Sequence, residues 1–432
     1  MKKTVLVAGA GRQGAYSGLL LSELGYSIVF IDRSRARLDE VKNIFQGHFK
    51  GKPYDIQLCE GDLKDLAFLD KLKNDHQPQG MLGALPSAYG HYAFEAAIHL
   101  KLPLADYSYS EEDPYSYHQK AVEAGIIAVP DCGWCPGINN VMIGVSLAHL
   151  DRQGIDAIDE ISIYVGGLPL DPQPPLYYQF TWSPEDTMEE YIRSGVIVEN
   201  FRAVTVPPIS HEERIANIWK DDFKRNGGPA SLPEMHAVYT DGLRTLHQSL
   251  NRAPIAGKFR KTGDYRAKTM FEKTIRFGEH WRFFNLLLAA GFLNKEQTSI
   301  ISGGETVTLA PLDLSLRLLK NILEKTGDPR DVAVMAVNVK AGKERHSWKF
   351  FDVYEDGITA MSRTTAFSGA LTLDCLLSLK PGMTGIVPPE VLGFAECGRG
   401  EYRDFEFTTY GTEILKKLEA LGIRIEVEIE SH

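Results

Sequence analysis

At 432 residues the chain exceeds one ordinary core, so two domains, or one domain with a large insertion, are expected. Its composition, 44% hydrophobic and 24% charged, is that of a folded globular protein and argues against disorder or a collagen-like repeat. A formal charge of −10 with no concentrated basic face argues against a nucleic-acid partner, and Lys258 to Lys268, broken by Gly263 and Asp264, reads as a solvated loop.

Met1-Lys2-Lys3-Thr4 runs straight into an apolar strand rather than a signal-peptide core. The longest apolar run, Leu286 to Leu293, falls well short of the roughly 20 residues a membrane helix needs. No membrane partner and a cytoplasmic location are therefore expected. Five cysteines in a chain of this length make no disulfide framework.

The chain opens as strand, turn, helix, strand. Thr4 to Ala8 is a short apolar run that meets Gly9-Ala10-Gly11-Arg12-Gln13-Gly14, and a helix with a buried stripe at Leu20, Leu21 and Leu24 follows. Gly25 stands where a helix ends, and a second strand, Ile28 to Ile31, runs to Asp32. A glycine motif alone is weak, but here strand, helix and acidic residue are all in their required places. Gly9 permits the tight turn, Gly11 lets backbone approach a pyrophosphate, and Gly14 lets helix pack on strand. The helix start, with Arg12 and Gln13, would hold the anion. Asp32 can accept both ribose hydroxyls, which favours NAD, whereas Arg33 suits the 2′-phosphate of NADP. No metal is expected.

Asp62 is read as the cap of a helix striped with Leu63, Leu66, Leu69 and Leu72. Gly80 to Leu85 is a buried strand closed by Pro86-Ser87, followed by a helix over about His91 to Leu100 and strands at Leu104-Ala105 and Ile126 to Val129. Such alternation predicts a parallel, doubly wound Rossmann sheet over residues 1–140. Its ligand would lie beyond the carboxyl ends of the strands, near Gly9 to Gly14, Asp32, Asp62, Leu85, Pro86, Ser87, Asp106 and Asp131. From about Ile158 longer strands appear. Glu160 to Val165 ends at Gly166-Gly167, Val332 to Val339 pairs with Trp348 to Tyr354, and Asp356-Gly357 signals a hairpin into Ile358 to Met361. A second, α+β domain with a mixed or antiparallel sheet is expected over 141–359. A last helix bearing Ile414, Leu415, Leu418 and Leu421 leads past Gly422 into an alternating strand from Ile423.

Several blocks then carry a family resemblance. They are Pro130-Asp131-Cys132-Gly133 with Pro136-Gly137 and Asn140, Tyr164 to Pro169, Pro174 to Tyr178, and Phe180-Thr181-Trp182-Ser183. Tyr239-Thr240-Asp241-Gly242, Lys273-Thr274-Ile275-Arg276 with His280, Thr359-Ala360-Met361 with Arg363-Thr364-Thr365, and Pro388-Pro389-Glu390 complete the set. In this order, across nearly the whole chain, they resemble the saccharopine dehydrogenase-like oxidoreductases, most closely the L-lysine 6-dehydrogenase branch. The resemblance implies NAD(P)-dependent oxidation of an amino-acid amine, or the reverse, a homodimer formed through the second domain, and a segment from about 360 that packs back on the first. Its alternatives are a saccharopine-type reductase joining an amino acid to a carbonyl compound, or a protein that holds NAD without turnover.

The chemistry asks for a base near the nicotinamide. Asp106 matches an acidic position of the family and is the first candidate, with a helix cap or turn as its other reading. Glu95 stands where family members often carry a lysine, so Glu95 or His91 would take over a proton-transfer role or the substrate differs, unless Glu95 is a solvent-facing helix residue. Arg276 would take the substrate carboxylate with its planar fork, or make a cross-strand surface ion pair. Trp182 and Tyr178 would wall the substrate's aliphatic chain or pack in the core. Asp241 would hold an ammonium or shape a turn. Cys132-Gly133-Trp134-Cys135 has the spacing of a thiol–disulfide motif, but a turn lining the cleft suits its family frame better.

Overall fold

The computed structural model describes residues 3–110, 112–324, 330–398 and 400–431. The first unit alternates strands β1 (Thr4–Ala8), β2 (Ser27–Asp32), β3 (Ile56–Glu60), β4 (Gly80–Gly83), β5 (Leu104–Asp106) and β6 (Ile127–Val129) with helices. The helices are α1 (Arg12–Glu23), α2 (Arg35–Phe49), α3 (Leu66–His76), α4 (His91–Leu100) and α5 (His118–Ala124), and α6 (Ile138–Arg152) leads out of the sheet. Alternation along β1 explains the layering: Val5 and Val7 face the core under α1 and α2, whereas Leu6 and Ala8 face the core under α3, α4 and α5. The cap of α3 is Asp65, whose carboxylate accepts from the Ala67 and Phe68 amides, and not Asp62. Asp62 instead takes the Lys64 amide in the turn before it.

The second unit begins with β7 (Ile158–Pro169) and α7 (Pro184–Ile192), then β8 (Gly195–Glu199), β9 (Arg202–Val206) and β10 (Ser210–Ile215). After α8 (Lys220–Arg225) come β11 (Met235–Tyr239), α9 (Leu246–Ser249), β12 (Ala267–Phe277) and α10 (His280–Ala289). The hairpin β13 (Thr298–Ser302) and β14 (Glu305–Leu309), helix α11 (Pro311–Leu323), and the long pair β15 (Asp331–Ala341) and β16 (Glu344–Val353) follow. Helix α12 (Ala360–Leu379), β17 (Gly385–Ile386), α13 (Pro389–Phe394), β18 (Glu396–Gly398), β19 (Thr408–Thr409), α14 (Tyr410–Ala420) and β20 (Arg424–Ser431) complete the chain.

Two sheets result. The first has the order β17-β6-β5-β4-β1-β2-β3, and every pairing in it is parallel. The second has nine strands, seven along β10-β11-β12-β7-β15-β16-β20 with β8 and β9 branching from β12, and is mixed because β12 and β7 run parallel while their other neighbours are antiparallel. Together they give the expected α/β Rossmann unit and α+β unit. Strand β7 continues through Gly166 and Gly167, which pair with Val334 and Ala333 of β15, so the glycines do not end it.

Asp356 and Gly357 make the expected tight turn, with positive φ at both, but no strand follows. Thr359 accepts from the Ser362 amide, and the Asp331 carboxylate takes the Ala360 and Met361 amides, so α12 starts there. That helix returns to the first sheet: Ser17 donates to the Ala366 carbonyl, Tyr26 to Asp374, and Lys3 to the Leu377 carbonyl. No helix among the described residues is long and apolar enough to cross a membrane.

Candidate active site

A cleft of about 760 Å³ runs from the carboxyl edge of the first sheet to the second sheet. One end is made by backbone. Gly9 has φ +106, and a Cβ there would meet the Ala84 carbonyl oxygen at 2.4 Å; one on Gly14 would lie 2.0 Å from the Gly9 carbonyl. Neither position tolerates a side chain. Gly11 differs, because a Cβ there would meet no protein atom within 4 Å and would project into open space. It directly precedes α1, whose start carries no side-chain cap.

Asp32 is fixed by its neighbours: Oδ2 accepts from the Ala10 amide and Oδ1 from the Ser34 amide, both at 2.8 Å. Each oxygen keeps a further lone pair. Around it lie Arg12, Arg33, Arg37 and Lys64, with the Arg33 guanidinium 5.2 Å over the Tyr89 ring and 3.9 Å from Asp62. Gln13, Asp62, Leu85 and Pro86 also line this end. Gly14 lies behind the lining, and Ser87 is buried, donating to Asp186 at 2.9 Å.

The other end is made by side chains. Period-2 alternation along β12 turns Glu272, Thr274 and Arg276 into the cleft. Glu272 is 2% exposed, and burial pushes its carboxyl up to about 8. It is hydrogen-bonded to the Thr240 hydroxyl, that hydroxyl lies 2.8 Å from the Thr274 hydroxyl, and Thr274 donates to Glu190 of α7 at 2.6 Å. Proton counting orders the chain. The two hydroxyls supply two hydrogens for these three contacts, so one of the two carboxylates carries the third; the raised Glu272 carboxyl is the group that holds it, and the chain then runs from Glu272 through Thr240 and Thr274 to Glu190.

Arg276 is 3% exposed, so it makes no surface ion pair. Its Nε donates to the Tyr191 hydroxyl at 2.9 Å, and that hydroxyl lies 2.9 Å from His280 Nε2. His280 Nδ1 reaches the Leu176 carbonyl at 3.2 Å, so the ring is neutral with its proton on Nδ1, and Tyr191 donates to Nε2. One face of the guanidinium lies 4.6 Å over Tyr178, and its Nη2 stands 3.9 Å from Glu190. Tyr178 is therefore packed behind Arg276, outside the cleft lining, while Trp182 lines it.

Between the ends, Asp241 pairs with Arg193 at 3.6 Å, and its carbonyl accepts from Tyr109. Asp131, in a positive-φ conformation, pairs with Arg244 at 3.4 Å. Cys135 lines the cleft and Cys132 is buried behind it; burial raises both thiols well above their ordinary value, which disfavours the thiolate that redox exchange needs.

The three proton-transfer candidates are not brought together. Asp106 is buried behind the lining, where Oδ1 accepts from the Ser108 amide and hydroxyl, as its turn reading expects. Its Oδ2 lies so close to Gly83 that a Cβ there would be 1.9 Å away, and burial pushes the carboxyl up to about 7. Glu95 is exposed on α4, and His91 faces Glu112 at 3.9 Å; neither lines the cleft. Among the described lining residues the one lysine is Lys64, at the Asp32 end. Glu272 and Glu190 went unassigned in the sequence. For Glu272 a signal existed, since a strand that aims Arg276 into the cleft aims 274 and 272 there too.

Fold and cleft define a two-unit α/β protein whose site is shared between a parallel and a mixed sheet. The chain belongs to the saccharopine dehydrogenase family, since residues 133–398 match the family's saccharopine dehydrogenase C-terminal domain. Alpha-aminoadipic semialdehyde synthase of Arabidopsis thaliana is 24% identical over 278 residues, covering 63% of this chain and 23% of that protein. Saccharopine dehydrogenase [NADP(+), L-glutamate-forming] of Schizosaccharomyces pombe is 23% identical over 263 residues, covering 60% and 52%. The matches thus span about half or less of these relatives. The fold is that of apo saccharopine dehydrogenase (L-Glu forming) from Saccharomyces cerevisiae, with TM-score 0.71 and 17% identity over 99% of this chain and 100% of that one. The homospermidine synthase of Legionella pneumophila, solved in complex with NAD, follows with TM-score 0.58 and 11% identity over 99% and 91%.

Proposed function

We propose that this chain is a nicotinamide-dependent oxidoreductase that oxidises the amine of a lysine-like amino acid. The observation that carries the reading is that one cleft holds the glycine turn and Asp32 at one end and the Arg276, Glu190 and Glu272 wall at the other. The dinucleotide fits the first end: the space over Gly11 is open, the start of α1 offers unpaired amides to a pyrophosphate, and Asp32 keeps lone pairs for ribose hydroxyls. Arg33 and Arg37 beside Asp32 suit a 2′-phosphate as well, in line with the NADP(+) in the name of the Schizosaccharomyces pombe relative, so both cofactors are candidates. When bound, the nicotinamide supplies a two-electron acceptor for the carbon that bears the amine.

Arg276 takes the substrate carboxylate, held in place by Tyr191 and His280. Asp241 and Glu190 draw the ammonium into the cleft. The Glu272-to-Glu190 chain holds one proton between two carboxylates. Emptied at alkaline pH, it accepts the proton that the ammonium must lose; loaded, it donates one in the reverse direction. Loss of a hydride from the amine-bearing carbon would leave an iminium, which water would convert to an aldehyde with release of ammonia.

A second reading, a reductase joining an amino acid to a carbonyl compound, is favoured by the saccharopine dehydrogenases among the relatives. Absorbance at the reduced-nicotinamide band separates them, with NAD and NADP each offered L-lysine and related diamino acids. Reduction by an amine alone supports the dehydrogenase. Oxidation of reduced cofactor only when amine and aldehyde are both present supports the reductase, and cofactor binding without either reaction removes both. The expected pairing of two copies is supported by exposed Leu286, Phe292, Ile301, Leu318 and Ile322 on the second unit, and light scattering tests it.

A further inference from the structure

Away from the cleft, one buried histidine lacks the partners its burial demands. Alternation along β16 puts Glu344, His346 and Trp348 on one face. Trp348 donates to Ser146 of α6 at 2.9 Å, which places that face against the helix. Nearly one turn further along α6, His149 meets His346, ring centroids 5.0 Å apart and planes at 76°. Phe405 closes the third side: it stacks on Trp348 at 5.6 Å and stands edge-on to His149 and His346 at 5.4 and 5.9 Å. Within this aromatic enclosure, one donor atom each from His149, Glu344 and His346 lies within 4.8 Å of the others. His346 is fully buried, and neither of its ring nitrogens has a hydrogen-bond partner among the described residues. Buried polar atoms are rarely left so, because each loses its bonds to water and gains none in exchange.

We propose that His149, Glu344 and His346 form a binding site for one divalent transition-metal ion, Zn2+ in the first place. Two imidazoles and one carboxylate are a borderline nitrogen–oxygen set that suits zinc, cobalt or nickel rather than magnesium or calcium. The buried His346 is the fixed ligand. Glu344 and His149 are partly exposed and have room to rotate inward, which the short zinc–ligand bonds of about 2.0–2.2 Å require. Three protein ligands leave a fourth position for water. None of the three residues lines the cleft, so the ion clamps α6 to β16 and takes no part in the reaction. The sequence gives no hint of this, because the spacing of 149, 344 and 346 matches no metal-ligand motif.

The test uses the full chain, freed of metal by a chelator and dialysed against ZnCl2 or CoCl2. The proposal expects one ion per chain by elemental analysis, tetrahedral d–d absorption with Co2+, and a rise in Tm that saturates at one equivalent. His149→Gln and Glu344→Gln alter partly exposed side chains, and each is expected to weaken binding by at least ~100-fold, the upper end of the loss seen when only an outer-shell partner is removed. Circular dichroism confirms that both still fold. Failure of the wild-type chain to take up either ion overturns the proposal. Equal uptake by wild type and the His149→Gln/Glu344→Gln double variant also overturns it, showing adventitious surface binding.

Discussion

The two ends of the cleft are built in opposite ways. The Gly9 to Gly14 end is a backbone surface, encoded within a few consecutive residues and rigid because neighbouring carbonyls leave no room for a Cβ. The Glu272 to Arg276 end is a side-chain surface, assembled from β11, β12 and α7 and from the start of α10, whose groups are held by one another's protons. A backbone site fails when something is added to it. A side-chain site fails when one proton or one donor is removed.

The largest expected effect is at Glu272. Glu272→Gln keeps the shape and removes the titration, and kcat for amine oxidation should fall ~10²–10⁴-fold. Since burial holds the wild-type carboxyl up to about 8, its base form predominates only above that pH. The oxidation rate should rise with pH through about 8 in the wild type and lose that limb in the variant, as a pH–rate profile reads directly. Stability carries the same sign: the raised carboxyl stabilises the fold fully below an unfolded value of about 4.3, and that contribution is lost as pH rises through about 8. Chemical denaturation across that window should show wild type losing ground to Glu272→Gln.

Next comes Gly14→Ala. Its Cβ meets a backbone carbonyl at 2.0 Å, so the turn itself must shift, and cofactor affinity by fluorescence titration should drop by at least ~100-fold, about 3 kcal/mol. Arg276→Lys keeps the charge and loses the fork; KM for the amino acid should rise ~10–100-fold with cofactor affinity unchanged. The smallest effect is expected from Tyr191→Phe, which leaves Arg276 Nε and His280 Nε2 buried without their shared hydroxyl. Thermal unfolding should show a loss of about 1–3 kcal/mol, with a modest rise in the same KM.

This contrast also sets what could be read from the sequence. The glycine turn, Asp32 and the parallel sheet were legible because each is a local pattern with a fixed period or spacing. Arg276 stands out through its sequence block, but Glu272, four residues earlier on the same strand face, lies outside that block and shows only when the strand's period of two is extended back from Arg276. Glu190 comes from α7, and only tertiary packing brings it to Thr274. Asp106 was drawn to the cleft by the rule that ligands sit at strand ends, yet its strand ends beneath Tyr107, Ser108 and Tyr109, and its carboxylate turns inward to Gly83. The start of α12 read as a strand because its decisive cap, Asp331, lies on a distant β-strand.

If the two ends serve two ligands of one reaction, initial-rate kinetics on Gly11→Ala and Arg276→Lys will separate them. A methyl at Gly11 touches no protein atom, so that variant should fold as the wild type does. Gly11→Ala should raise KM for the nicotinamide alone, and Arg276→Lys should raise KM for the amino acid alone. A Gly11→Ala enzyme with unchanged cofactor kinetics, or an Arg276→Lys enzyme with unchanged amino-acid kinetics, would contradict that division.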